Sequence, residues 1–377
     1  MKEKMLGKRI AAGIAAIMTA ATLCACDDLD EYDDYSEEDT SEQTVTSRSE
    51  EVTEALSDRS SESFNGRGSK LNLDSNGGVS ITRLARDNSA PMGDADTWTV
   101  FVYMCGSDLE SENGLAVDDI EEMANAYTGD NVRFVVQTGG STRWNGYDIS
   151  ADSLQRFEVT GGDVYLVDEV SDADMGQEQT LEDFLRWGVQ NYPADKMGVV
   201  FWNHGGGSIT GVCFDEKNEY DSLSLTDLDK AFTSVFDDMT DKFEFVGFDA
   251  CLMATVETAN VLVPHARYMI ASEETEPGRG WDYTEIGRYL DENLGCTGAQ
   301  VGKVAADSFY DSCAASDEEA GATLSVTDLS KIDKLIVAIN NAAASMNGAS
   351  DDSSNLSGMV RSIRKAKNYG GNNKSEG

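Results

Sequence analysis

Histidine is nearly missing from this chain: His204 and His265 are the only two in 377 residues. Basic residues are also scarce, 29 against 69 acidic ones, for a formal net charge of −40. A polyanion repels nucleic-acid phosphates and attracts cations. This sets aside DNA and RNA as partners, and solubility alone accounts for much of the acidity. No C-x-x-C spacing occurs, and two histidines give a structural zinc site too few ligands. There is no G-x-S-x-G elbow, so a serine-esterase reading of the loop His204-Gly-Gly-Gly207 lacks its nucleophile. An EF-hand loop is absent too, and acidic residues are too common to single out metal ligands. No metal site and no cofactor is therefore assigned. Apart from Ile10–Leu23, no apolar run approaches the length of a membrane span, and that run is itself short for a permanent one.

What is present begins with an address. Lys2, Lys4, Lys8 and Arg9 precede the apolar run, as in a secretory signal. The run ends Leu23-Cys-Ala-Cys26, with small Ala25 before the cysteine and aliphatic Leu23 three positions ahead of it. This resembles the lipobox of bacterial lipoproteins, which implies cleavage before Cys26 and acylation of its thiol. Several acyl chains give durable anchoring where one does not. Residues 27–54 follow with thirteen Asp or Glu and one Arg. So few apolar residues cannot form a core. The expected organisation is a signal peptide (1–25), an acidic Ser/Thr-rich disordered tether (26–95), a catalytic-type domain (96–346) and a polar tail (347–377). The tail would stand where a longer domain is truncated.

From Thr97 short apolar runs alternate with amphipathic ones. Strands are expected at Trp98–Met104, Val132–Gln137, Met197–Trp202, Phe243–Phe248, Tyr268–Ser272 and Ala322–Val326, with hairpin material over Asp148–Val167. Helices are expected near Leu115–Tyr127, Thr180–Asn191, Leu225–Phe236, Met253–Leu262, Val301–Cys313 and Ile332–Met346. The alternation predicts an α/β fold with a largely parallel sheet. Sites in such sheets gather beyond the carboxyl ends of the strands, where His204 and Cys251 both fall.

The body holds five cysteines, Cys105, Cys213, Cys251, Cys296 and Cys313, so at least one thiol is free unless chains pair. Cysteine attacks as thiolate and needs a base or a positive environment. Cys251 at a strand-to-helix junction would gain from helix N–H groups, and His204 is the natural base. The glycines beside it let backbone amides approach a ligand, so the N–H groups of Gly205 and Cys251 are the expected oxyanion hole. His265, behind Pro264 at a helix end, reads as a surface or packing residue.

Four segments carry a resemblance. They are Val100-Phe-Val-Tyr-Met-Cys-Gly-Ser-Asp-Leu109, Val200-Phe-Trp-Asn-His-Gly-Gly-Gly207, Val246-Gly-Phe-Asp-Ala-Cys-Leu-Met-Ala254 and Ala271-Ser-Glu-Glu-Thr-Glu-Pro-Gly-Arg-Gly-Trp-Asp-Tyr283. Together they resemble the clostripain family of cysteine peptidases, over roughly residues 97–346. The resemblance implies a caspase-like α/β/α sandwich with a mostly parallel sheet. It implies a His204/Cys251 dyad with no third residue required, and cleavage after Arg or Lys in protein or peptide substrates. Asp249, two residues before the nucleophile, then selects the basic side chain, since a carboxylate pairs well with guanidinium. Glu273, Glu274 and Glu276 would add negative charge. Some relatives cut themselves between His and Cys, which points to Lys217 in the polar loop Phe214–Tyr220. Some relatives need calcium, with no ligands identifiable here. The enzyme would face outward from the cell membrane, held by lipid at Cys26. A reading from another class is a catalytically silent surface lipoprotein that binds cationic peptides.

Overall fold

The computed structural model describes residues 67–74, 77–86, 89–316, 321–350 and 353–370. The signal segment, Cys26 and most of the acidic stretch lie outside the described residues. Two compact units are distinguished among the described residues: a larger one of Arg83–Ile332 with residues 67–68, and a smaller one holding Ser69–Thr82 and residues 333–370.

Strands β1 (Ser69–Leu73) and β2 (Val79–Arg83) form a two-stranded sheet inside the stretch expected to be a disordered tether. Turn chemistry explains it: the Asp74 carboxylate accepts the Gly78 N–H at 2.9 Å, and the Asp74 carbonyl accepts that of Gly77.

The larger unit is built on an eight-stranded sheet. Its strands are β3 (Trp98–Cys105), β4 (Val132–Gly139), β5 (Ser153–Thr160), β6 (Asp163–Ser171), β7 (Lys196–Trp202), β10 (Phe243–Asp249), β11 (Ala266–Ala271) and β12 (Ser325–Asp328). The short strands β8 (Val212–Asp215) and β9 (Asp221–Leu223) pair separately. The order is β12-β11-β10-β7-β3-β4-β5-β6. The run β11-β10-β7-β3-β4 is parallel, while β12, β5 and β6 join antiparallel at the edges. All eight residues of β3 are buried, as befits a strand covered on both faces.

Helices α1 (Ser107–Asn113), α2 (Leu115–Asn125), α3 (Glu178–Asn191), α4 (Leu225–Ser234), α5 (Val256–Leu262), α6 (Tyr283–Glu292) and α7 (Gly298–Ala315) surround this sheet. On one face Trp98, Val100 and Val102 pack with Phe134, Val200, Phe245, Tyr283 and Val301. On the other, Phe101, Tyr103, Phe184, Phe201, Phe232 and Phe248 stack edge to face or in parallel. The expected α/β/α sandwich with a mostly parallel sheet is what forms.

Two expectations are corrected. The helix after Cys251 begins at Val256, not Met253, with Thr255 as its cap. Leu252 and Ala254 instead donate their N–H groups to the carbonyls of Glu274 and Ser272, and Leu252 sits at φ +65°. The chain is therefore held against a neighbouring loop rather than coiled. Toward the end of the described residues α8 (Ile332–Ala349) precedes α9 (Ser353–Ile363), a helix inside the expected polar tail. Among the described residues no helix is long and apolar enough to cross a membrane.

Candidate active site

Three adjacent parallel strands deliver the site. β3 ends at Cys105 and leads through Gly106 into Ser107 and Asp108. β7 ends at Trp202 and leads to Asn203 and His204; β10 ends at Asp249, two residues before Cys251. β3, β7 and β10 are neighbours in the sheet, so loops far apart in sequence emerge side by side.

Asn203 fastens them. Its buried side chain donates to the Cys105 carbonyl and accepts the Phe214 N–H, both at 2.7 Å. The Cys213 N–H donates to the His204 carbonyl at 3.2 Å, and the His204 ring stands edge-on to Phe214.

The glycines explain how the two motifs meet. A Cβ on Gly205 would lie 2.1 Å from the Cys251 carbonyl oxygen, so backbone rests directly on backbone. Gly207 adopts φ +66°, a region costly for residues with a side chain. Neither the Gly205 nor the Cys251 N–H donates to a protein acceptor among the described residues outside its own side chain. Both remain available for a ligand oxygen. The helix that was to assist Cys251 starts too late to do so.

Imidazole and thiol are not bonded to each other. His204 Nε2 lies 2.8 Å from Asp108 Oδ1, and Cys251 Sγ accepts the Glu276 N–H at 3.2 Å. Burial pushes the Cys251 thiol up, the Glu276 N–H opposes that, and the charges of Asp249 and Glu274 add to the rise. The resting group is thus a thiol that must lose its proton to react. Cys251 is the partly exposed member of the five body cysteines, and the other four are buried. Asp108 escaped the sequence reading, because one acid among 69 carries no signal of its own.

Asp249 is 6% exposed. Its Oδ2 accepts from the Tyr283 hydroxyl at 2.9 Å and the Trp281 N–H at 3.2 Å. Desolvation pushes its carboxyl up to about 6, against these hydrogen bonds and one with Glu276. The Glu276 carboxyl is pushed well up by burial and then by the Asp249 charge. Behind them, Asp119 accepts from Trp202 Nε1 at 2.5 Å and is also raised by burial, then by Asp249. Gly280 faces the Asp249 carboxylate and lines a cleft of about 860 Å³. Leu109, Asp118, Asp119, Glu122, Arg279 and Trp281 border this cleft as well.

The other assigned residues fall as follows. The Glu274 carbonyl accepts from Leu252 N–H and Ser272 Oγ, and its carboxylate accepts from the Thr275 N–H at 3.1 Å. Lys217 sits in a short helical turn; its Nζ contacts the Ala151 carbonyl and lies 2.6 Å from Asp172. Of the two expectations for His265, surface or packing, the second applies: it is buried and stacked on Phe232. Its Nε2 comes within 4.0 Å of Asp229, but burial, then Arg86, Lys242 and Arg83, lower it to about 3. That approach is therefore not an ion pair. Among the described residues no group of three or more His, Cys, Asp or Glu is arranged to hold a metal ion.

A doubly covered, mostly parallel sheet with a partly exposed thiol, its backbone resting on a glycine next to histidine, defines a class of α/β fold whose site lies beyond the strand ends. Within that class the chain is a member of the clostripain family, whose profile matches residues 102–374. It is 28% identical over 223 residues to clostripain of Hathewaya histolytica, covering 49% of this chain and 40% of that protein. The chain thus spans about two fifths of that relative's length. In fold it resembles a secreted C11 cysteine protease from Bacteroides thetaiotaomicron solved with an irreversible peptide inhibitor. The TM-score is 0.50 at 23% identity, over 63% of this chain and 68% of that one. The structure from the same organism called iotapain gives 0.51 at 22% identity, over 64% and 69%.

Proposed function

We propose that this chain is a cysteine endopeptidase in which Cys251 attacks a peptide carbonyl and His204 moves the protons. The observation that carries the reading is the backbone contact of Gly205 with Cys251. It joins the only accessible thiol among the described body cysteines to a loop whose free N–H groups can receive an oxyanion.

The reaction follows from that arrangement. The substrate carbonyl enters between imidazole and thiol, its oxygen facing the Gly205 and Cys251 N–H groups. The thiol proton passes to His204, and sulfur bonds to the carbonyl carbon to give a tetrahedral oxyanion. The imidazolium protonates the amide nitrogen, the C–N bond breaks and an amine leaves. Water, deprotonated by the imidazole, attacks the thioester; the C–S bond breaks and the thiol is restored. No step calls for a cofactor.

Preference for Arg or Lys before the scissile bond is supported by the acidic side of the site. Asp249 and Glu276 form a buried carboxyl pair, and the adjoining cleft carries Asp118, Asp119 and Glu122 together with a single basic residue among its described lining, Arg279. A guanidinium reaching Asp249 would pair with its carboxylate. The overall charge of −40 would draw such substrates in. Self-cleavage after Lys217 belongs to the same reading and requires Nζ to leave Asp172 and the Ala151 carbonyl. Export and lipid attachment at Cys26 place the enzyme outside the cell membrane.

The test uses wild type and Cys251→Ala with fluorogenic peptides bearing Arg, Lys, Asp or Leu before the scissile bond, with and without calcium. Cleavage after Arg or Lys that vanishes in the variant is expected. Cleavage persisting in Cys251→Ala refutes the mechanism. No cleavage, together with tight binding of cationic peptides, favours the silent lipoprotein. Intact-mass analysis after prolonged activity reads the Lys217 cut, and a break elsewhere removes that assignment.

A further inference from the structure

We infer that Asp108 is the positioning residue of His204: it holds the proton on Nε2, leaves Nδ1 free for catalysis, and stabilises the imidazolium formed during acyl transfer. The inference rests on the peptidase reading above and departs from a two-residue mechanism.

The contact is short and selective. Asp108 Oδ1 lies 2.8 Å from Nε2 and also accepts the Ser107 hydroxyl at 3.0 Å. Nδ1 has no protein partner among the described residues. With the carboxylate as acceptor, Nε2 carries the hydrogen and Nδ1 keeps the lone pair. Nδ1 is then the atom that takes the thiol proton and later gives it to the leaving amine, while Asp108 stays ionised.

The carboxylate is itself held in place. Ser107 is fully buried and sits at φ +50°, an uncommon backbone conformation for a residue with a side chain. Its carbonyl accepts from Ser141 Oγ at 2.9 Å, and the Gly106 N–H is tied to the Gly139 carbonyl at 2.8 Å. Strain of this kind persists only where the surroundings enforce it, and it gathers at functional positions. Desolvation works to raise the Asp108 carboxyl, but the hydrogen bond and charge of His204 and the Ser107 hydroxyl outweigh it and keep it below its ordinary value.

Fold stability does not account for the pair. The His204 and Asp108 side chains are 40% and 33% exposed, and ion pairs this open contribute little to folding. A bound peptide that excludes water strengthens the same interaction when the imidazole becomes charged.

The experiment compares full-length wild type with Asp108→Asn, Asp108→Ala and Asp108→Glu, using Cys251→Ala as the zero. Asn keeps the shape and an acceptor but removes the charge. The expected result is a fall in kcat of about 10²-fold or more in both Asn and Ala variants, with KM changed less than about threefold and partial recovery in Glu. The acid limb of kcat/KM should move to lower pH, because the imidazolium has lost its anionic partner and the base form persists further into acid. Full recovery by Asn with an unmoved limb would mean a merely structural role and overturns the inference. That result beside a dead Cys251→Ala leaves the peptidase reading intact; cleavage surviving in Cys251→Ala removes both. If no test peptide is cut, the pH dependence of Cys251 alkylation by iodoacetamide makes the same comparison. Superimposable profiles for wild type and Asp108→Asn again overturn it.

Discussion

Asp249→Asn should make the protein more stable and the enzyme worse. The Asp249 carboxyl sits at about 6 in the fold, against an ordinary value of 3.8, because burial disfavours its charge. The folded state therefore binds the proton more tightly than the unfolded one. Stability from this group is fully present below about pH 3.8 and is lost as the pH rises through 6. The gap of about two units corresponds to roughly 3 kcal/mol at pH 8. Asparagine is neutral throughout and fits the local bonding. Its amide oxygen can accept from Trp281 N–H and Tyr283 OH as Oδ2 does, and its NH2 can donate to Glu276, whose buried oxygens lack a donor of good geometry. Urea unfolding followed across pH 3.5–8 is the assay, paired with kcat/KM for Arg and Leu peptides. The variant should gain about 2–3 kcal/mol at pH 8, converge on wild type near pH 3.5, and lose activity on Arg peptides selectively. A variant less stable than wild type at pH 8, or a difference independent of pH, would refute the reasoning about buried charge.

Further outcomes concern the loops and the second histidine. In Gly205→Ala the new methyl has only the Cys251 backbone to displace. A stability loss of about 1–3 kcal/mol is expected from calorimetry. A fall in kcat/KM of about 10²-fold should accompany it, as for catalytic groups moved by an ångström. His265 is held neutral at about 3 against an ordinary 6.5. Its contribution is present above 6.5 and drains as the pH falls toward 3, on the order of 3 kcal/mol between pH 7 and pH 4. His265→Phe should flatten that part of the denaturation profile, and an unchanged slope would show that other groups drive acid unfolding.

The sequence by itself determined the class of fold and marked His204 and Cys251 as the candidate pair. Buried strands such as Trp98–Cys105 and Lys196–Trp202 are unbroken apolar runs, and the helices between them carry one apolar stripe, so their periodicities are local and legible. His204 was nearly forced by scarcity, and Gly205 was marked by the run of glycines beside it. Lys217 and Glu274 were legible as charged loop residues. Their actual engagements, with Asp172 for one and with the backbone of Leu252 for the other, depend on segments distant in sequence. The Asp74 turn was missed because a short polar hairpin shares the composition of the tether around it. The tertiary structure alone decided that helix α5 starts beyond Cys251, since cross-chain N–H bonds to residues 272 and 274 outweigh local helix preference there. It also decided which carboxylates matter. Asp108 meets His204 across 96 residues, and Asp249, Glu276 and Asp119 share one buried space. An acid's role is set by desolvation and by what stands within about 4 Å of it. Both come from the order in which β3, β7 and β10 lie in the sheet, which no local pattern of residues encodes.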